Sequence, residues 1–168
     1  FRSQASSQGQ VLEGWPLPTL HRQDNSWFGE PRSVRLGFAA AGPQRIEVLP
    51  EAADDDRQPV PGDLLGGSID PLSAALLAGI KVAPESAATP CRFVLPIFDG
   101  RRRYDITFKP ERWESIEGPF FKGRAQRCSA LTRRIAGFSQ NPWLPRTEEP
   151  EAGHVWFTRM APATPPIV

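Results

Sequence analysis

The segment FVLPIFDGRRRYDITF, Phe93–Phe108, constrains the fold more than any other part of the chain. Two runs of strand-like composition flank the pair Asp99-Gly100. Aspartate followed by glycine between two such runs is a strong β-hairpin signal, because glycine adopts the positive φ angles that a tight turn needs. Apolar and polar residues alternate from Tyr104 onward. The segment therefore predicts two antiparallel strands that share one apolar face.

Alternation with a period of two predicts further strands on both sides of this hairpin. Apolar residues alternate with more polar ones over residues 34–38, and the alternation resumes over 46–48. These two runs predict a second hairpin. Downstream, residues 120–138 predict a strand that ends near Gly137, and Val155–Phe157 predict the last strand.

Other segments lack this alternation and predict loops. Residues 1–31 are polar and rich in glycine and proline, and they predict loop with one short strand near Val11. Residues 111–118 predict a connection, and residues 50–67 and 141–153 predict proline-rich loops. The chain has 19 prolines in 168 residues, roughly twice the usual share of about 5%. Because each proline fixes φ and removes a backbone donor, the composition predicts long irregular connections and little helix.

One segment, at about residues 70–82, predicts an α-helix. Asp70 suits the N-cap and Pro71 suits the first helical position, where a missing N–H costs nothing. An apolar stripe at helical spacing follows, and its members are Leu72, Ala75, Leu76, Leu77 and Ile80. We expect this stripe to pack on a sheet.

The prediction is one mainly-β domain over residues 1–168, a curved antiparallel sheet that forms a partial barrel and packs on one helix.

The two cysteines, Cys91 and Cys128, predict a disulfide, because both lie in strand-like segments that the hairpin can bring together. In a cytosolic chain two cysteines are more often small core residues, whereas disulfides persist in exported proteins. No run approaches the roughly 18 apolar residues of a membrane span. No signal peptide is visible, and because the chain begins at Phe1 rather than Met, we expect that an upstream segment has been removed.

Charge and motif patterns argue against several classes of function. The net charge of +1 gives no overall field that would attract nucleic acid. His21 and His154 are not at a zinc-binding spacing, and the nucleophile-elbow, dinucleotide-binding and phosphate-loop motifs are missing. The aspartates at positions 70 and 99 are explained by the helix cap and the turn. The sequence therefore predicts a protein that is not an enzyme and that uses no metal or cofactor.

Two charged runs are candidate binding features. The carboxylates of Asp54, Asp55 and Asp56 suit a hard cation, but consecutive residues of an extended loop point apart. We therefore favour a solvated acidic loop or pairing with nearby arginines. The arginines of 101–103 suit an anionic head group through bidentate contacts; edge protection or cross-strand pairing is the alternative.

Five residues are candidate contacts for a ligand or a partner protein. They are Arg101, Arg103, Tyr104, Trp156 and Phe157. On a strand, Arg101 and Arg103 share one face, so at most two of the three consecutive arginines converge on one ligand. The aromatic residues either line a cavity for a hydrophobic ligand or belong to the core.

Four stretches in fixed order resemble an uncharacterised bacterial envelope family, the domain-of-unknown-function family 3108. They cover residues 46–78, 91–108 and 123–138 and the sequence HVWF at His154–Phe157. The resemblance implies a Gram-negative periplasmic protein whose signal peptide is removed and which is longer at both ends. It also implies an architecture similar to that of periplasmic lipoprotein carriers, in which a curved sheet wraps a helix around an apolar cavity. It implies no catalytic residues, and fold alone does not establish function.

Two functions are therefore expected. The first is binding or carrying of a hydrophobic ligand, a lipid or an acyl chain, in the periplasm. The alternative is a structural or interaction subunit of an envelope or membrane-associated complex, in which a partner adds a strand to an exposed sheet edge. A continuous apolar cavity of a few hundred Å³ would favour carriage, whereas a filled core with exposed edges would favour assembly.

Overall fold

The structure is a computed structural model in which eight strands form two four-stranded antiparallel sheets. It describes residues 2–27, 30–50, 57–82, 91–118, 121–139 and 151–157. The first sheet has the order β1-β2-β3-β4, with β1 (Arg2–Leu12), β2 (Trp15–Trp27), β3 (Glu30–Ala39) and β4 (Gly42–Leu49). The second has the order β5-β6-β7-β8, with β5 (Phe93–Phe98), β6 (Arg103–Glu117), β7 (Lys122–Ala136) and β8 (Glu151–Phe157).

The described residues contain one α-helix, α1 (Pro71–Val82). The mainly-β class, the antiparallel pairing and the helix are thus confirmed, and the sheets are not closed into a barrel. The helix contacts β1 and β2 of the first sheet and β5 of the second, so it lies between the two sheets. We call the side of each sheet that packs toward α1 its inner face.

The predicted hairpin over residues 34–48 is confirmed, but the prediction for residues 1–31, mostly loop with one short strand near Val11, is wrong over the described residues 2–27 and 30–31. β1 and β2 pair from Arg2 opposite Ser26 to Leu12 opposite Trp15. The residues of β1 are almost all exposed. A strand that is exposed to solvent on both faces needs no alternation of apolar and polar residues. Its sequence therefore does not predict that the segment is a strand.

In the second sheet the hairpin at Asp99 is confirmed, and so is the long strand, which ends at Ala136, just before Gly137 with its φ of 78°. The connection predicted over residues 111–118 is wrong, because β6 continues to Glu117. A register shift between Pro110 and Arg112 keeps the pairing with β7 intact beyond the proline. Such bulges let a strand accommodate a residue that cannot donate to the ladder.

The helix cap is confirmed, whereas the predicted buried stripe is correct at Leu77 and wrong at Leu72, Ala75 and Leu76, which are exposed. The carboxylate of Asp70 accepts hydrogen bonds from the backbone N–H groups of Leu72 and Ser73, both at 3.0 Å. Leu72 is 40% exposed and Leu76 is 50% exposed. The buried face consists of small residues and one leucine: Ser73, Ala74, Leu77 and Ala78. Small side chains allow the helix backbone to lie close to both sheets, which the larger predicted stripe would prevent.

Two apolar clusters hold the sheets and the helix together. The larger one joins α1 to the second sheet and contains the predicted disulfide, which is confirmed: Cys91 and Cys128 are fully buried, and their Cα atoms are 6.4 Å apart. The smaller cluster joins the first sheet to the tip of the β5–β6 hairpin through Leu36, Leu65 and Phe98. The hairpin of the second sheet thus reaches the inner face of the first.

Candidate ligand-binding cleft

An open cleft of about 400 Å³ lies between the inner face of the first sheet and the tip of the β5–β6 hairpin. Its described lining includes four arginines and one carboxylate: Arg32, Arg57, Arg101, Arg102 and Asp99. These side chains leave an excess of three positive charges on the described lining. We call this feature the arginine cleft.

The hairpin tip is held in place by turn geometry and by contact with β3. Asp99 Oδ1 accepts hydrogen bonds from the backbone N–H groups of Arg101 and Arg102, at 3.0 and 2.7 Å. Gly100 has a φ of 96°, and a Cβ at this position would overlap Cγ1 of Val34. Only glycine combines this conformation with such a close approach. The tip is therefore fixed against the first sheet, which carries the arginines at 101 and 102 to the cleft.

The guanidinium groups of the hairpin tip already have some partners. Arg102 forms an ion pair with Asp99 Oδ2 at 2.7 Å, and the Arg101 guanidinium donates to the carbonyl oxygen of Pro50. The Arg102 guanidinium has five N–H donors, so its pairing with Asp99 leaves donors for a ligand. The predicted acidic loop at Asp54–Asp56 lies outside the described residues, and the charge balance given above does not include it.

Tyr104 adds a neutral donor to the cleft. Burial raises the pKa of its phenol above the ordinary value, and the neighbouring Asp99 carboxylate raises it further, although Arg102 opposes them. The hydroxyl group therefore stays protonated at neutral pH and can donate a hydrogen bond.

A smaller recess of about 190 Å³ adjoins the arginine cleft. Its walls are mostly apolar and include Ile46, Val48 and Phe98. Arg57 and Arg101 line both the recess and the cleft, so the boundary between them is cationic. We call this feature the apolar recess.

Of the five predicted contact residues, Arg101 and Tyr104 line the cleft. Arg103 has a different role in the structure, since it is only 9% exposed. Its guanidinium donates to the carbonyl oxygen of Leu64 at 3.0 Å and pairs with Asp105 at 2.6 Å. The structure thus places Arg103 in the bonds that join β6 to the short 3₁₀ helix Gly62–Leu64.

The other two predicted contacts lie on β8, outside the described lining of the cleft. Phe157 packs on Phe108 with ring centroids 5.8 Å apart, next to the larger apolar cluster. The indole N–H of Trp156 donates to Glu114 at 2.6 Å on the exposed side of the second sheet. Trp156 is 41% exposed, so it stays accessible to a partner but does not face the cleft.

Sequence reasoning missed Arg32 and Arg57 as cleft residues. Arg32 is two residues before Val34 on β3, and the period of two could have placed it on the same face. Nothing comparable marks Arg57, which lies in an irregular segment and reaches the cleft only through the tertiary fold.

A buried polar cluster lies beneath α1, beside the cleft. Asp70 Oδ2 accepts hydrogen bonds from Ser7 at 2.9 Å and from Ser73 at 2.6 Å. Nδ1 of His21 is 3.0 Å from Asp70 Oδ1, and both residues are almost completely buried. Burial raises the pKa of Asp70, but contacts with His21 and Ser73 outweigh it and hold the pKa at about 2. We call these four residues the polar cluster.

The polar cluster has the residue types of a hydrolase but not the arrangement. In a nucleophilic site a serine donates to a histidine, which acts as the base. Here Ser7 and Ser73 both donate to Asp70 instead. Among the described residues neither serine donates to a histidine, so the cluster links β1 and β2 to the start of α1. The sequence predicted the helix cap at Asp70 but not its pairing with His21.

Within the described ranges, no three histidine, cysteine, aspartate or glutamate side chains gather as metal ligands. No helix in this part of the chain is long and apolar enough to cross a membrane. Comparisons with family models, curated proteins and solved structures found no match for the chain. The resemblance to the envelope family, the periplasmic location and the likeness to lipoprotein carriers therefore stay predictions.

Proposed function

We propose that the protein is a non-enzymatic binding protein for an anionic amphiphile, a lipid or an acyl chain with a carboxylate or phosphate head. One observation supports this most strongly: Arg57 and Arg101 line both the arginine cleft and the apolar recess. A ligand that spans this boundary meets arginine side chains at one end and apolar walls at the other. Amphiphilic lipids have this distribution of charge and apolar surface.

The arginine cleft suits the head group. Guanidinium groups bind carboxylates and phosphates in bidentate geometry, and they do so better than ammonium groups. The cleft volume of about 400 Å³ lies in the usual range for small-molecule sites, about 300–1,000 Å³. The Tyr104 hydroxyl and the Asn25 amide supply neutral donors beside the arginines.

The apolar recess suits part of a chain. Its volume of about 190 Å³ is below that range, so a long chain would extend beyond it. Each methylene group buried there contributes about 0.8 kcal/mol, which is about a fourfold gain in affinity. The affinity should therefore rise over the first few methylene groups and then level off once the recess is full.

Calorimetric titration of the full chain with alkyl phosphates of increasing length, each below its micelle concentration, tests this proposal. We expect saturable one-to-one binding that strengthens with chain length and then reaches a plateau. Inorganic phosphate should bind weakly, and alkyltrimethylammonium ions of equal length should not bind. Equal binding of the cationic amphiphiles, or no dependence on chain length, would contradict the proposal.

Two arginines on β3 provide a matched pair of variants. Arg32 and Arg35 are both exposed, but only Arg32 lines the cleft, and Arg35 lies on the opposite face of the strand. We expect Arg32→Glu to weaken dodecyl phosphate binding by about tenfold or more, and Arg35→Glu to change it by less than about twofold. Similar losses in both variants would indicate nonspecific attraction to surface charge.

A substitution in the recess tests the contribution of the alkyl chain to binding separately from that of the head group. Val48→Thr keeps the shape of the side chain but places a hydroxyl group in the apolar wall. We expect weaker binding of dodecyl phosphate and unchanged binding of ethyl phosphate. If both ligands lose affinity to the same extent, the chain does not occupy the recess.

The location in the periplasm is part of the same proposal. It is supported by the fully buried disulfide, because such bonds persist in oxidising compartments. Intact cells can be quenched under denaturing conditions and their free thiols alkylated. Both cysteines should then be found in the disulfide and not alkylated. Free thiols in the native protein would contradict export.

A second candidate is a subunit that pairs with a partner strand. β1 is an eleven-residue edge strand, exposed along nearly all its length, and Arg2 is its only charged residue. Natural edge strands are usually protected by charges or prolines. Ser6→Lys would introduce such a charge, and it should abolish co-purification of a partner while leaving dodecyl phosphate binding unchanged. A wild-type chain that co-purifies with no partner would count against this function.

A further inference from the structure

The face of α1 that bears Leu72 and Leu76 points to solvent, and it adjoins the exposed end of the β1–β2 hairpin. Leu72 and Leu76 are 40% and 50% exposed. Val11, Leu12 and Trp15 at the hairpin end are 52%, 61% and 37% exposed. We call these five residues the apolar patch.

The two halves of the apolar patch belong to one surface. A groove of about 220 Å³ runs between them, and Val11, Leu72 and Leu76 all line it. The hairpin end also contacts the last turn of α1, where the Lys81 ammonium group lies 5.6 Å from the centre of the Trp15 ring. Single exposed leucines are common on soluble proteins, but a contiguous group of large apolar side chains marks an interaction surface.

The charges around the patch favour a second copy of this chain as its occupant. Among the described residues, the charged ones next to the patch in sequence are Glu13, in the β1–β2 turn, and Lys81, in the last turn of α1, one of each sign. The polar residues that line the groove, Ser7, Gln8, Gln10 and Ser73, are uncharged. A surface that binds an anionic membrane has an excess of basic residues around it. A surface that binds a strongly charged partner is surrounded by charges of one sign. A rim with one charge of each sign is complementary to itself across a two-fold axis.

We propose that the apolar patch is the contact surface of a homodimer, in which Glu13 of each copy faces Lys81 of the other. This inference is independent of the proposed ligand. No described residue lines both the arginine cleft and the groove in the patch. The patch and the cleft are therefore separate surfaces in their described linings.

Sedimentation velocity of the full chain from about 1 to about 100 µM tests the dimer. We expect the wild-type chain to dimerise within this range and Leu76→Glu to stay monomeric throughout. Val94→Glu is the matched control, because Val94 is 48% exposed and lies on β5, outside the patch. It should dimerise like the wild type. A wild-type chain that is monomeric at the highest concentration, or a Leu76→Glu variant that dimerises normally, would overturn the proposal.

A charge exchange tests the orientation without altering the apolar side chains. Glu13→Lys alone and Lys81→Glu alone should each weaken the dimer by about threefold to tenfold. The double variant should recover wild-type dimerisation, and failure to recover would overturn the two-fold arrangement. Flotation with phosphatidylcholine vesicles completes the test. A monomeric wild-type chain that floats, while Leu76→Glu does not, would assign the patch to a lipid surface and refute the homodimer.

Discussion

The two sheets differ in what occupies the space at their inner faces. The second sheet packs α1 onto an apolar cluster that contains the disulfide, Leu95, Ile97 and Phe108, all nearly inaccessible. In the first sheet, fully buried Leu36 has fully buried His21 opposite it on β2. Toward β4 the inner face opens into the cleft and the recess. The second sheet therefore supplies most of the apolar stabilisation, and the first leaves room for a ligand.

One short segment connects the two regions. The backbone of Ile69 pairs with β5, donating to the carbonyl oxygen of Pro96 at 3.0 Å and accepting from the N–H of Phe98 at 3.0 Å. The next residue, Asp70, turns its carboxylate toward Ser7 and His21 of the first sheet. Changes in the second sheet should therefore affect stability most, and changes in the first sheet should affect binding most.

The largest expected effect is loss of the disulfide from the second sheet. Replacing both cysteines with alanine removes a cross-link across 37 residues of sequence, which the chain-entropy model values at about 4 kcal/mol. Urea unfolding of the oxidised wild-type chain and of the double variant measures this difference. A loss below about 1 kcal/mol would show that the second sheet does not depend on this bond.

Asp70→Asn should have the next largest effect, because it breaks the connection between the sheets. It removes the charge that pairs with buried His21 and weakens the helix cap, at a cost of about 3 kcal/mol. Asp63→Asn is the control, since Asp63 is an exposed aspartate in the first turn of the 3₁₀ helix and makes no cap hydrogen bond there. Equal effects of the two substitutions in urea unfolding would refute the role of the polar cluster.

Gly100→Ala should alter the cleft more than the global stability. The residue has a φ of 96°, and its Cβ would overlap Val34, so the hairpin tip must move. We expect a loss of about 1–2 kcal/mol in unfolding free energy and weaker binding of dodecyl phosphate. Gly79→Ala is the control, because a Cβ there meets open space on α1. Unchanged binding in Gly100→Ala would mean that the tip does not form the cleft.

The most gradual effect is a pH dependence that originates in the polar cluster. The pKa of Asp70 is lowered from 3.8 to about 2 in the folded protein. A lowered carboxyl pKa contributes stability that is complete above the unfolded pKa and is lost as the pH falls through the folded one. Unfolding free energies should therefore decline between about pH 4 and about pH 2, and less steeply in Asp70→Asn. Identical slopes in the two proteins would contradict the assignment to Asp70.

The sequence predicts those features that depend on local chemistry. The turn at Asp99 and Gly100 and the cap at Asp70 need only a few neighbouring residues, and both are confirmed. The disulfide was predicted from two strand-like segments and the hairpin between them, which bring the cysteines together. In each case the residue type itself limits the possible structures.

The sequence does not predict features in which the packing of side chains differs from the pattern of apolar and polar residues. The polar β1 is held by backbone pairing with β2, and polar side chains on both faces produce no alternation. On α1, apolar residues occur on nearly every side, so periodicity could not show that Ala74 and Ala78 rather than Leu72 and Leu76 face the sheets. The arginine cleft depends on residues from distant segments, and no local pattern brings Arg32 and Arg57 together.

Isotope-filtered NMR of the labelled full chain with unlabelled dodecyl phosphate tests the central claim most directly. We predict intermolecular contacts between the alkyl chain and the methyl groups of Ile46 and Val48, at the inner face of the first sheet. Val94 and Val155 of the second sheet, which are also exposed, should show none. Contacts confined to the second sheet, or to the apolar patch on α1, would contradict the claim that the first sheet holds the ligand.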